Sequence, residues 1–267
     1  MEKKAIISAV IITKNEERNI ARCLDSIVDI IDEIIVIDSY STDRTEEICS
    51  RFSVRFIQSE WKGYSETKNY GNSLAKGEYI LSLDADECIS PVLREELLNF
   101  KSQFEKSEAY QFSRLTNFCG RWIHHCGWYP DRKVRLWKNG SGKWEGTIHE
   151  KLILDPSILP VRLKGDLLHY SYHTLNDYLL QMVHYTEISA RENLAKGRNY
   201  SILRMVFNPP VKFLNRYILK AGFLDGLSGL IICCMAATGT FLKSARTRQL
   251  FNEDKKKKLD VPVDQSK

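Results

Sequence analysis

Asp84, Asp86 and Glu87 close the run Tyr79-Ile80-Leu81-Ser82-Leu83-Asp84-Ala85-Asp86-Glu87. Its apolar part, entered from Lys76-Gly77, reads as a buried strand of an α/β sheet, and the C-terminal end of such a strand is where open α/β sheets bind ligands. Three carboxylates crowded there repel one another unless a cation joins them. Hard oxygen donors at this spacing suit Mg²⁺ or Mn²⁺, and such an ion would in turn hold a diphosphate. A solvated loop whose acids serve the N-terminus of a helix opened by Pro91 accounts for the same residues, because an Asp-x-Asp triplet alone is a weak signal.

The preceding residues supply elements that would position such a site. Ile6 to Ile12 is a continuous β-branched run, as expected of a parallel strand covered on both faces, and it stops at Thr13-Lys14-Asn15-Glu16. Ile20, Cys23, Leu24, Ile27 and Val28 then recur at helical spacing. A second strand, Glu33 to Ile37, is followed by Asp38-Ser39-Tyr40-Ser41-Thr42-Asp43 and a helix with Asp43 and Glu46 in capping-box spacing. The third strand is Val54 to Ile57, and a helix containing Lys68, Asn69 and Leu74 is expected to end at Gly77. Four alternating units predict a parallel, doubly wound arrangement with right-handed crossovers. No Gly-x-Gly-x-x-Gly follows the first strand and no Gly-x-x-x-x-Gly-Lys-Ser/Thr occurs. Neither a dinucleotide fold nor a P-loop is supported, so any phosphate would be held by a metal on Asp84 and Asp86 and by nearby basic side chains.

Taken together, Ser8-Ala9-Val10-Ile11-Ile12-Thr13-Lys14-Asn15-Glu16, Ile35-Val36-Ile37-Asp38-Ser39-Tyr40-Ser41-Thr42-Asp43, Lys68-Asn69-Tyr70-Gly71 and Asp84-Ala85-Asp86 resemble the ordered motifs of glycosyltransferase family 2, which has the GT-A fold. More loosely, Trp128-Tyr129-Pro130-Asp131-Arg132-Lys133-Val134-Arg135-Leu136-Trp137 and Gly146-Thr147-Ile148-His149-Glu150 resemble its lipopolysaccharide-core β-glucosyltransferase branch. The resemblance implies an α/β GT-A domain, a mixed sheet with helices on both faces. By the same resemblance Thr13, Asn15 and Glu16 border the nucleoside pocket, Asp38 hydrogen-bonds uracil or ribose, and Lys68 and Asn69 lie near the diphosphate or base. Asp84 contacts the ribose or a metal-bound water, Asp86 ligates the metal, and His169 is a candidate late ligand, with a structural histidine as its alternative.

Beyond Ala109 shorter strands are expected at Tyr110 to Leu115 and Val134 to Trp137, separated by a polar, aromatic loop that suits either sugar stacking or a satellite core. Arg132 and Arg135, three apart on an expected strand edge, face opposite sides; one is the candidate for a donor phosphate and the other for solvent. Inverting transfer requires a group that takes the acceptor hydroxyl's proton as that oxygen attacks the anomeric carbon. Glu150 is the candidate base, with His149 as a pocket or metal neighbour and Glu145 in reserve; the alternative for Glu150 is an exposed strand charge.

Leu175 to Leu194 reads as an amphipathic helix. Met205 to Phe223 interleaves basic with large apolar residues and is expected to be interrupted at Pro209-Pro210, a pattern suited to a membrane interface. Leu227 to Leu242 is uncharged but short of the roughly 20 residues of a spanning helix; a buried hairpin is the alternative. The chain carries 39 Lys and Arg against 34 Asp and Glu, a net charge of +5, and Lys243 to Lys258 alone holds seven basic and two acidic residues. The body is therefore near neutral, which argues against nucleic acid and for a basic tail drawn to anionic headgroups. Seven scattered cysteines fit a reducing compartment, and Cys119, Cys126 and His124-His125 lack a second pair to complete a zinc site.

The expected organisation is a GT-A domain over residues 1–173 (1–106 for the nucleotide-sugar, 107–173 for the acceptor), a helical, membrane-associating region over 174–258 and a disordered tail over 259–267. The expected activity is inverting transfer of a sugar, such as glucose, from a UDP-sugar to a lipopolysaccharide-core or other envelope glycolipid. Its expected location is the cytoplasmic face of the inner membrane. Two rivals are a non-catalytic binding module with the same fold and a sugar-nucleotide nucleotidylyltransferase. The latter usually has a Gly-rich basic loop after its first strand, where this chain has Thr13-Lys14-Asn15-Glu16.

Overall fold

The computed structural model describes residues 6–102, 106–146 and 150–259. They form two compact units, one made of the residues up to Thr116 with Pro130–Ser171, the other of Asn117–Tyr129 with the residues from Tyr172 onward. The stretch 117–129, which the sequence places with the acceptor half, thus clusters with the C-terminal helices.

In the first unit β1 (Ile7–Thr13), β2 (Glu33–Asp38), β3 (Arg55–Gln58) and β4 (Tyr79–Asp84) are parallel, with β1 between β2 and β4. Every residue of β1 is buried, as its unbroken apolar run requires of a strand covered on both faces. β5 (Glu87–Ile89), β6 (Ala109–Phe118), β7 (Arg121–Ile123), β8 (Asp131–Lys138) and β11 (Val161–Tyr172) complete a mixed sheet in the order β3-β2-β1-β4-β8-β6-β11-β5, with β7 on β6. β8 pairs antiparallel with both β4 and β6. Arg132 and Arg135 therefore lie on an interior strand rather than an edge.

Helices α1 (Ile20–Asp25), α2 (Thr45–Cys49) and α4 (Pro91–Ser102) bury Leu24, Cys49, Leu93 and Phe100 in the larger core with Ile7, Ile11 and Leu83. The expected capping box of α2 does not form. The helix begins at Thr45, one residue too late for Asp43 to be its N-cap, and the Asp43 carboxylate accepts from the N–H groups of Thr45 and Glu17 instead. Helix α3 (Tyr64–Leu74) ends before Gly77 and covers the other face. Gly71 seats it there: a Cβ at this position would stand 2.4 Å from Val10 Cγ1 and 3.1 Å from Ile37 Cγ1. A hairpin of β9 (Gly142–Glu145) and β10 (Lys151–Leu154) forms a separate two-stranded sheet.

The second unit holds α5 (Leu175–Ala195), α6 (Ile202–Leu214) and α7 (Gly226–Leu259). Thr174 and Asp177 cap α5 reciprocally. α6 runs through Pro209 and Pro210 rather than breaking there, and none of its residues is buried. The uncharged run Leu227 to Leu242 lies inside the 34-residue α7, whose Ile232 and Cys233 pack with Phe118, Ile123 and Cys126. Trp128 stands edge-on to Phe118 and Tyr178, so this aromatic loop forms a satellite core. Residues 260–267, which carry all but the first of the expected tail, lie outside the described residues.

Candidate active site

The loops after β1 and β2 are stitched together. Asn15, held in the left-handed region at φ 56°, accepts from Thr42 N–H through Oδ1 at 2.8 Å and donates its own N–H to Ser41 Oγ. Asp38, fully buried, accepts from the Ser41 N–H and hydroxyl. Around this seam Thr13 Oγ1, Ser39 Oγ and Thr67 Oγ1 are buried with no hydrogen-bond partner. Such orphaned hydroxyls call for a ligand or an ordered water. Ser39 and Thr67 were not legible as site residues, because only burial distinguishes them from ordinary loop and helix hydroxyls.

The turn after β4 separates its three acids. Glu87 is fully buried and fully engaged: its carboxylate accepts from the Asp84 N–H at 3.0 Å and pairs with Arg135 at 2.7 Å and Arg114 at 3.3 Å. Asp84 is held at one oxygen by Lys68 Nζ, 2.8 Å away, and at the other by Arg135, 2.7 Å away. Burial pushes the Asp84 carboxyl up, but the Arg135 and Lys68 charges outweigh it and hold the group well below the usual carboxylate range. Arg132 is exposed, so the two arginines do face opposite ways, and it is the buried one that reaches the acids.

Asp86 meets His169 instead. Residues 87–89 of β5 pair antiparallel with β11, which brings His169 opposite Glu87 and its Nε2 3.1 Å from Asp86 Oδ2. Thr116 Oγ1 lies 3.3 Å from the other ring nitrogen and helps fix the imidazole plane. Although burial raises it, the Asp86 carboxyl is lowered overall, chiefly by His169. Glu16 sits close enough to feel Asp86, Asp43 and Asp84. Burial first, then these charges, push its carboxyl up to about 7 against the relief of a hydrogen bond from Asn19.

Among the described residues no three His, Cys, Asp or Glu side chains gather as a metal cage. Asp86 and His169 nevertheless offer one hard and one borderline donor side by side. This fits a small divalent cation that keeps waters and takes its remaining ligands from a diphosphate. Asp84 has both oxygens engaged, by Lys68 and Arg135, and so would be less free than Asp86 to grip such an ion.

Glu150 reaches the same cluster of charges through Lys68. Its Oε1 is 3.3 Å from Lys68 Nζ, so the Glu150 and Asp84 carboxylate oxygens on this ammonium are no more than about 6 Å apart. The strand leading towards it is pinned to α3. Asn69 exchanges two 2.9 Å hydrogen bonds with the Trp144 backbone, and Ser65 Oγ donates to Gly146 O. Glu145 is exposed. His149 lies outside the described residues.

The arrangement sets two carboxylates, Asp84 and Glu150, on one buried lysine, with a further acid, Asp86, paired to a histidine. A model of the family described as glycosyl transferase family 2 matches residues 8–150, more than half of the chain. The chain belongs to glycosyl transferase family 2. Its mixed sheet, flanked by helices and followed by a long apolar C-terminal helix, is the GT-A fold. This family 2 chain is 26% identical to the lipopolysaccharide core biosynthesis glycosyltransferase LpsC of Rhizobium meliloti, over 93% of its own length and 94% of the relative's. It is 27% identical to an uncharacterized glycosyltransferase of Rickettsia typhi over 91% and 87% of the two chains. Among solved structures it resembles the mannosyltransferase PcManGT of Pyrobaculum calidifontis, in complex with GDP-Man and Mn²⁺, at TM-score 0.48 and 15% identity over 97% and 82% of the chains.

Proposed function

We propose that this family 2 enzyme transfers a sugar from a UDP-sugar to a lipopolysaccharide-core or other envelope glycolipid with inversion at the anomeric carbon. The observation that supports this most is the convergence of donor-side and acceptor-side acids, with Asp84 and Glu150 sharing one buried ammonium. Asp86 and His169 would hold the divalent cation, Mg²⁺ or Mn²⁺, which when bound neutralises charge on the departing diphosphate. Thr13, Ser39, Asp38 and Thr67 line the place for the nucleoside. Glu150 takes the proton from the acceptor hydroxyl as its oxygen attacks in a single displacement. The likeness to LpsC supports the choice of acceptor.

Membrane association is part of the proposal and rests on the second unit. Ile202, Leu203, Val206, Phe207, Val211 and Leu214 of α6 are exposed, with Arg204, Lys212 and Arg216 among them. Large apolar side chains left open to water beside basic ones suit a helix lying in an anionic bilayer surface. By length and composition alone, Gly222–Lys256 would also suffice to cross a membrane. We place this surface on the cytoplasmic face of the inner membrane, where UDP-sugars are at hand.

The test is a donor screen with Mn²⁺ and isolated lipopolysaccharide core, reading nucleotide release and the anomeric configuration of the product. UDP release that needs the acceptor, with an inverted product, is expected. A retained configuration, or release only from another nucleotide, would contradict it. Nucleotide binding with no turnover under any condition would favour the binding-module reading.

A further inference from the structure

Lys68 stands where almost none of its side chain reaches water, 1% of it being exposed. An ammonium has three N–H donors. Here its three neighbours are Asp84 Oδ1 at 2.8 Å, Glu150 Oε1 at 3.3 Å and the face of the Trp144 ring, 4.6 Å from Nζ to the centroid. Two carboxylates take two of its donors, and the aromatic ring covers a further side of the ammonium. Resemblance alone would place this residue by the donor diphosphate or base; its contacts tie it to Asp84 and Glu150.

The neighbours of Lys68 on α3 do related work. Asn69 and Ser65 fasten the backbone at Trp144 and Gly146, and Lys68 fastens Glu150 itself, so one helix face holds the acceptor-side segment at three points. Among the described residues Glu150 makes no other ion pair. Without Lys68 its carboxylate would be free to rotate away from an incoming hydroxyl, and a displacement of about 1 Å is enough to cost 10²-fold in such a step.

We propose that Lys68 is a positioning residue that ties the acceptor base Glu150 to the donor-side carboxylate Asp84, and that it does not bind the donor diphosphate. This rests on the transferase reading above and on Glu150 as its base. The helix that packs on the nucleotide-binding strands thereby also sets the place of the acceptor's proton acceptor, and both halves of the reaction are registered on one side chain.

The test is a double-mutant cycle on the full chain with Lys68→Met, Glu150→Gln and the pair. It reads kcat with the UDP-sugar that the parent turns over, and the Kd of UDP with Mn²⁺ by calorimetry. Lys68→Met is expected to lower kcat by about 30-fold or more with UDP affinity within about threefold of the parent, and to add less than about threefold once Glu150 is Gln, since residues acting as one unit are not additive. Losses that multiply in the pair, or UDP binding weakened tenfold or more by Lys68→Met, would overturn the proposal. Should Lys68→Met melt before assay, Lys68→Arg keeps the cation, and the proposal then requires near-parental UDP affinity and a kcat loss that vanishes in the Glu150→Gln background. A parent that turns over no nucleotide-sugar would take down the transferase reading and this one together; a turning-over parent with multiplicative losses takes down this one alone.

Discussion

Burial changes the chemistry of Glu16. Its carboxyl is raised to about 7, largely by burial. A raised acid favours the folded state fully below its unfolded value of 4.5, and the advantage is lost as pH rises through about 7. In metal-free protein Glu16→Gln should therefore raise the melting temperature at pH 8 and have little effect at pH 5; equal shifts at both pH values would show that its charge is not the cause. Glu150→Gln keeps size and hydrogen bonding while removing the base. It should lower kcat by about 10²–10⁴ with little change in UDP affinity, measured by initial rates beside calorimetry. Sequence made Asp84, Asp86 and Glu150 legible as candidates through residue type and order. It did not separate Glu87 from them, because what turns Glu87 inward is Arg114 and Arg135, which lie 27 and 48 residues away.

At the scale of elements, α3 matters most, since it packs on β1 and β2 and holds Trp144, Gly146 and Glu150 by hydrogen bonds and an ion pair. Gly71 permits that packing. Gly71→Ala should drive a Cβ into Val10 and Ile37 and cost about 1–3 kcal/mol in urea unfolding. It should also lower turnover by more than its effect on folding explains, because Lys68 and Asn69 ride on the same helix. An unchanged midpoint would mean that the helix does not sit this closely. The first four strands were readable because each is a short apolar run stopped by a polar loop, and β-branched residues in such runs have few other uses. The interior place of β8 was not readable, since an antiparallel strand flanked on both sides owes its position to β4 and β6 rather than to its own pattern. The continuation of α6 through Pro209-Pro210 was missed for a related reason: two prolines ordinarily end a helix, and here the turns on either side carry it through.

For the whole molecule the claim divides between the two units. On the second, Leu203 and Phe207 stand one turn apart and exposed on α6. Replacing both by Glu should weaken binding to phosphatidylglycerol vesicles at least about tenfold, read by co-sedimentation, since each buried apolar side chain contributes about 1.5–3 kcal/mol. Parental binding that is already absent would remove the membrane from the account. On the first unit the central claim is a metal-assisted UDP-sugar site built on Asp86 and His169. The most direct measurement is the melting temperature with UDP, GDP or CMP, each with and without Mn²⁺, for the parent chain and Asp86→Ala. Stabilisation by UDP that requires Mn²⁺ and disappears in Asp86→Ala is predicted, and ligand at about 100 times its Kd would add roughly 2.7 kcal/mol. Equal stabilisation without metal, or in Asp86→Ala, would contradict the claim.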